Sequence, residues 1–178
     1  GFLAALNHSR GGNFGSTEAN LLQSVACILG VHSGNIELCR QQAELMAGVA
    51  KALTSAIDTK DPYTCGHSDR VARLAVRLAQ ELGYPPKIIS RVYLAGLLHD
   101  VGKIGVNDAV LQKAGKLTEA EFELIKNHAQ TGFKILSGLK KLEDVNEAVL
   151  HHHEAWDGSG YPQRLCGEAI PAIARIVA

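Results

Sequence analysis

The chain has no surplus of charge of either sign, with 18 lysines and arginines against 18 aspartates and glutamates in 178 residues. A general nucleic-acid binder needs a basic excess to neutralise phosphates, so no nucleic-acid partner is expected. A small anion held at one local site is still compatible with that balance. Also missing is any cysteine pair at CxxC spacing. Cys27, Cys39, Cys65 and Cys166 stand far apart, which argues against a structural zinc site or a disulfide framework and fits reduced thiols in a cytoplasmic protein. There is no signal peptide, and no apolar run reaches the roughly 18 residues of a membrane span, so no membrane segment is expected. An initiator methionine is lacking too. The chain opens at Gly1-Phe2-Leu3 and closes in the uncapped apolar stretch Ala174-Arg175-Ile176-Val177-Ala178, so a fragment of a longer protein is expected. What the chain does have is 46% hydrophobic and 20% charged residues, the balance of a globular domain able to bury a core.

Residues 1–7 are short and apolar and read as a strand or its remnant. Residues 8–17, with three glycines, read as a turn in which His8 has no role. From Glu18 to Asp58, the residues Leu22, Val25, Leu29, His32, Ile36, Cys39, Ala43, Met46, Ala50, Leu53 and Ile57 recur in steps of three and four. That is the seam of a coiled coil. Gly30 and Gly34 each weaken this helix by roughly 1 kcal/mol relative to alanine, which allows a break near residues 32–35. A dimer-forming connector is favoured over packing within one domain, with His32 as a polar register device. Pro62 ends the helix. The next helix, about 65–82, is expected to turn His67, Val71, Leu74, Leu78 and Leu82 inward, with Gly83 as its cap. Pro85-Pro86 opens a helix to about Val101, with Ile88, Val92, Ala95 and His99 inward. After a loop over 105–115, the capping box Thr118 to Glu121 starts a helix to about Ser137, with Leu124, His128, Gly132 and Ile135 on one face. Leu142, Val145 and Val149 then lead to His152 and His153, with His151 facing away. A glycine-rich loop at 157–162, shaped by Asp157, and a final helix near Pro171 follow. The fold class is all-α: a helical bundle preceded by a long connector helix, with a short β remnant at the N-terminus.

A single histidine on a helix face is usually just a packed or surface residue. Here four separate helices present histidines on their apolar sides: His67, His99, His128, and His152 with His153. Burying five imidazoles without partners would be costly. Asp100 stands beside His99 but about 100° round the helix axis. One metal ion would find that pair awkward, whereas two neighbouring ions could share the carboxylate. Imidazole and carboxylate ligands suit iron, manganese, zinc or nickel alike. Two ions about 3.5–4 Å apart can hold a bridging hydroxide as nucleophile and polarise phosphoryl oxygens, which points to phosphodiester hydrolysis. Lys103, just past the helix end, can offer a positive charge to a phosphate. Glu154 can orient a ligand from behind.

His99-Asp100 with Gly102-Lys103, then His152-His153-Glu154 and Asp157-Gly158-Ser159-Gly160-Tyr161-Pro162, resembles the HD-GYP domain family. Asp61 to Val71 and Lys116 to His128 match as well, so the likeness covers 61–178. It implies an all-helical HD fold and hydrolysis of the bacterial messenger cyclic di-GMP to pGpG or on to GMP. It also implies two divalent ions, iron or manganese, on His67, His99, Asp100, His128, His152 and His153. Asp100 and Lys103 would be catalytic, with Lys103 on the phosphate. Gly158, Gly160, Tyr161 and Pro162 would govern substrate access and contacts with GGDEF-domain cyclases. Tyr63 stands where trinuclear members carry a glutamate, which favours two ions. The family pattern runs on past Ala-Arg-Ile-Val to a further aspartate ligand and basic residues that hold substrate. Incomplete metal binding and loss of activity are therefore expected of residues 1–178 by themselves. Residues 1–17, with Phe14 and the helix that follows, resemble the end of a GAF sensory domain, which makes 18–60 a signalling helix between sensor and hydrolase. The alternatives are an HD phosphohydrolase acting on another nucleotide or cyclic dinucleotide, and a non-catalytic signalling module.

Overall fold

In the computed structural model, residues 2–6, 12–61 and 66–178 are described. His8, Pro62, Tyr63, Thr64 and Cys65, on which parts of the sequence reading fall, lie outside them. Two compact units are distinguished, 1–46 and 47–178. Helix α1, Ser16–Lys60, runs without interruption through Gly30 and Gly34, so the break allowed near 32–35 does not occur. The strand expected at 1–7 is also absent from its described part: residues 2–6 form no regular structure. A strand needs a neighbour for its backbone groups, and no named strand exists among the described residues. In the first unit the seam side chains Val25, Leu29, Ile36 and Met46 are exposed. No described helix is long and apolar enough to cross a membrane.

The second unit begins with the last turns of α1, where Ala50, Thr54 and Ile57 are buried. The Thr54 hydroxyl reaches the carbonyls of Ala50 and Leu97, both at 2.9 Å, so it links this helix to the end of α3. Lys60 Nζ donates to the Ile104 and Val106 carbonyls at 2.8 and 2.6 Å, and Gln112 returns a bond to the Lys60 carbonyl. Helices α2 (His67–Glu81), α3 (Pro86–Leu98), α4 (Asp108–Leu111), α5 (Glu119–Leu136), α6 (Glu143–His151) and α7 (Ala172–Val177) complete the bundle. A tight 3-10 turn, Val101–Gly105, follows α3, and it and α4 replace the plain loop expected there. The capping box at Thr118 and Glu121 is formed as read.

Two helices present a different face to the core from the one expected. On α2 the buried residues are Ser68, Ala72, Ala75 and Ala79, while Leu74, Leu78 and Leu82 are 70%, 45% and 59% exposed. The cause lies across the interface, where a Cβ added to Gly96 of α3 would sit 2.6 Å from Ala72 Cα. The two backbones are nearly in contact, and only a stripe of small residues permits that. On α5 the inward residues are His128, Ala129, Gly132 and Leu136, with Leu124 and Ile135 exposed. Gly132 is the equivalent point of close approach, since a Cβ there would lie 2.9 Å from Val149 Cγ1 of α6. The core, from Val92 and Ala95 of α3 through Val145 and Val149 of α6 to Ile173 and Ala174 of α7, lies beneath the histidines.

Candidate metal centre

Each histidine of the site is delivered by the end or the inner face of a helix. His99 caps α3 and His152 caps α6, His67 is the first residue of α2, and His128 lies in the middle of α5. Three of the rings are held alike. Nδ1 of His99 donates to the Gly96 carbonyl at 2.8 Å, Nδ1 of His128 to Ile125 at 2.6 Å, and Nδ1 of His152 to Val149 at 2.7 Å. A carbonyl only accepts, so the proton sits on Nδ1 and each Nε2 keeps a lone pair for the centre of the site. Between His128 and His152 the two Nε2 atoms stand 3.2 Å apart. With both lone pairs turned inward, no proton lies between two neutral rings, and a cation satisfies both. The spacing suits two nitrogens each about 2.0–2.1 Å from one ion.

Asp100 lies between two ligand groups. Its Oδ1 is 3.3 Å from His128 Nε2, and its Oδ2 is 3.3 Å from His99 Nε2. Helix α3 ends at Leu98, His99 keeps helical torsions, and the chain leaves helical geometry at Asp100, with φ −96° and ψ 6°. Potential ligand atoms fall into the groups Asp100, His128, His152, His153 and His67, His99, Asp100, each with all its atoms within 4.8 Å of one another. The donor set therefore fits two cations sharing one carboxylate. All six residues singled out as ligands are brought together.

The electrostatics fit the same use. Burial opposes ionisation of Asp100, but its neighbours, with the Lys103 ammonium 2.9 Å from Oδ2, more than offset it and hold the carboxyl well below its usual range. Burial, reinforced by neighbouring rings, lowers His67, His128 and His152, and it brings His153 down to about 4. These four imidazoles are thus neutral near pH 7, as ligands must be. Lys103 Nζ lies 2.9 Å from Asp100 Oδ2 and 3.3 Å from Asp61 Oδ2. Burial works against its charge, and the two carboxylates outweigh that and raise its pKa.

Gly102 fixes the spacing of these elements, because any Cβ there would run into the backbone of α5 at His128 and Gly132. Glu154 has a different task from the one expected. Its two oxygens accept from the backbone N–H groups of Gln163 and Leu165, at 2.7 and 3.0 Å, so it clamps the loop and orients no imidazole. Asp157 caps the turn by accepting from Ser159 N and Oγ. Gly158 has φ +79°, and Gly160 lies so close to the backbone at 153–155 that only glycine fits. Tyr161, whose peptide bond to Pro162 is cis, stacks on His153 with ring centroids 4.7 Å apart. His151 is buried on α6, outside both ligand groups, and bonds the Glu147 carbonyl. Asp61 was not singled out for the site. Its signal is a carboxylate placed just ahead of the histidine-bearing helix.

The HD domain family profile matches residues 51–178. The chain belongs to that family. Over 121 residues this HD domain chain is 43% identical to a cyclic di-GMP phosphodiesterase of Pseudomonas aeruginosa, a match covering 67% of the chain and 29% of the relative. Over 163 residues it is 34% identical to a 3'3'-cGAMP-specific phosphodiesterase of Vibrio cholerae, covering 90% and 31%. The chain spans about a third of the length of the curated relatives it matches. The HD fold is also seen in a crystal structure of a cyclic GMP-AMP specific phosphodiesterase of V. cholerae, with TM-score 0.56 and 20% identity over 74% of this chain and 38% of that one.

Proposed function

We propose that this chain is the HD-GYP-type hydrolase portion of a metal-dependent phosphodiesterase that opens cyclic di-GMP to pGpG or GMP. The observation that carries the reading is Asp100, whose two oxygens face two separate groups of imidazoles. His67 and His99 with one oxygen would hold one divalent ion, iron or manganese, and His128, His152 and His153 with the other oxygen a second. Such ions supply Lewis acidity toward phosphoryl oxygens and lower the pKa of a water. The residues of the chain provide the rest. Carbonyl-clamped rings keep ligand lone pairs pointed at one place, at no cost of reordering during the reaction. Lys103, protonated and steered by Asp61, sets a positive charge beside the phosphate. Water adds at phosphorus as the 3' oxygen departs, and the ring opens to the linear dinucleotide. The Tyr161 loop lies over His153 at the mouth and is the element for substrate access and for a GGDEF-domain partner.

The same reading makes 1–17 the end of a GAF-like sensory domain and 18–60 the connector of a cytoplasmic homodimer. The exposed seam of α1 supports the dimer, and the bonds from Thr54 and Lys60 to residues 97–106, with the return bond from Gln112 to the Lys60 carbonyl, support transmission of a signal toward Lys103. Cyclic GMP-AMP is a second substrate reading, favoured by the relatives named for it. Elemental analysis of anaerobically purified full-length protein, followed by identification of the products from both dinucleotides, tests the proposal. Two equivalents of iron or manganese with pGpG or GMP formed are expected. Protein loaded with metal yet inert toward both dinucleotides would refute it.

A further inference from the structure

A cavity of about 620 Å³ lies between α5 and the 157–164 loop, and His153 forms part of its wall. Tyr161 covers His153, and beyond Tyr161 stands Lys126, with its ammonium 5.5 Å from the Tyr161 ring centroid and 4.8 Å from that of Phe122. Two ring faces thus hold one cation at the cavity wall. Lys126 also pairs with Glu123 at 2.6 Å, but Glu123 is largely exposed, and such a surface pair is readily exchanged for a better anion. Arg164 adds a second cation to the lining. Lys103 is differently placed, since its ammonium lies at the metal centre itself, beside Asp100 and Asp61.

We propose that this cavity, through Lys126, binds the phosphodiester of the cyclic dinucleotide that is not being cut. The assignment rests on the phosphodiesterase reading above. A cyclic dinucleotide carries two phosphates in one ring, so while one lies at Asp100 the other stands a nucleoside away. The cavity starts at His153, a candidate ligand, and reaches its cation one aromatic ring further out. A small phosphodiester with a single phosphate has nothing to offer at that position. Lys126 is therefore a specificity residue that selects for the cyclic dinucleotide.

The test is calorimetric binding of a hydrolysis-resistant phosphorothioate analogue of cyclic di-GMP to metal-loaded full-length protein. Wild type, Lys126→Gln and Lys126→Arg are compared at two salt concentrations, with metal content and thermal unfolding recorded for each. Lys126→Gln is expected to weaken binding about tenfold and to flatten its salt dependence, from the loss of one charge-assisted contact. Lys126→Arg should restore most of the affinity. In turnover, the KM of cyclic di-GMP relative to that of bis(4-nitrophenyl) phosphate should rise by about the same tenfold factor in Lys126→Gln. Arg164→Gln, at a separate position, should shift binding in the same direction. Equal binding by Lys126→Gln and wild type, or an arginine variant as weak as the glutamine one, overturns the assignment and leaves the phosphodiesterase reading intact. A wild type that cleaves the small diester but neither binds nor cleaves cyclic di-GMP overturns both.

Discussion

The two ligand groups that meet at Asp100 differ in size, and each mixes enclosed and open members: His99 is 5% exposed and clamped by a carbonyl beside half-buried His67, while His153 is the exposed member of the larger group. His128 and His152 are 1% and 4% exposed, come from the packed helices α5 and α6, and have their rings fixed by carbonyl bonds. His67 is only half-buried and begins α2, directly after its cap residue Gly66. One group has four residues available and the other three, with the carboxylate common to both. A four-residue group with two enclosed, carbonyl-clamped imidazoles, the deep position, should hold its ion more tightly than a three-residue group with one. The pair is thus expected to fill in sequence, with Asp100 alone serving both positions.

The largest effect is expected from Asp100→Ala. Loss of the shared carboxylate should remove both ions and lower turnover by about 10³-fold or more, since several kcal/mol of charge stabilisation go with them. Near-normal metal content by elemental analysis would contradict a shared ligand. Next come His152→Ala and His67→Ala as a matched pair. His152→Ala should empty the deep position. His67→Ala should leave about one equivalent bound and weaken the other about 10–100-fold. Titration of metal into the two variants distinguishes these outcomes, and identical losses in both would erase the asymmetry. Glu154→Gln should leave both ions in place and lower stability by about 1–3 kcal/mol, because a backbone N–H of the loop loses its acceptor; thermal unfolding reads this directly.

The smallest effect is a pH dependence of the metal-depleted protein. Burial and neighbouring rings hold His153 at about 4, and they lower His128 and His152 too. An unfolded chain takes up the same protons near 6.5. Between those values the unfolded state binds more protons, so stability is full above the interval and falls as the pH drops through it. Tm should decline from pH 7 to pH 4. A constant Tm would mean that the imidazoles feel no burial.

The histidine and aspartate cluster was legible because its residues fall on the apolar sides of helices, most of them at helix ends and His128 within α5. His99-Asp100 and His152-His153 announce themselves at the close of apolar runs. The orientation of α2 was not legible, because Leu74, Leu78 and Leu82 form as good a periodic stripe as Ala72, Ala75 and Ala79. What decides between the stripes is Gly96, a residue on another helix, and helical periodicity carries no information about a neighbour's backbone. On α5, His128 and Gly132 face inward as read, while the close approach of Gly132 to Val149 of α6 goes with Ala129 and Leu136 inward and Leu124 and Ile135 exposed. Glu154 was misjudged because adjacency in sequence to His153 said nothing about the return of the chain at 163–165. Helix α3 stops at Leu98, three residues before the Val101 that the pattern implied, because a tight 3-10 turn takes over at Val101.

Gly102 acts as a gauge. With no atoms beyond its Cα, the turn carrying Asp100 can rest on the main chain of α5 at the level of His128, and the bite available to a shared cation is set by backbone against backbone. Side-chain repacking elsewhere can drift over generations without moving that distance. A methyl group at this one position would act as a wedge, prising the carboxylate from the imidazole without changing the identity of a single ligand residue.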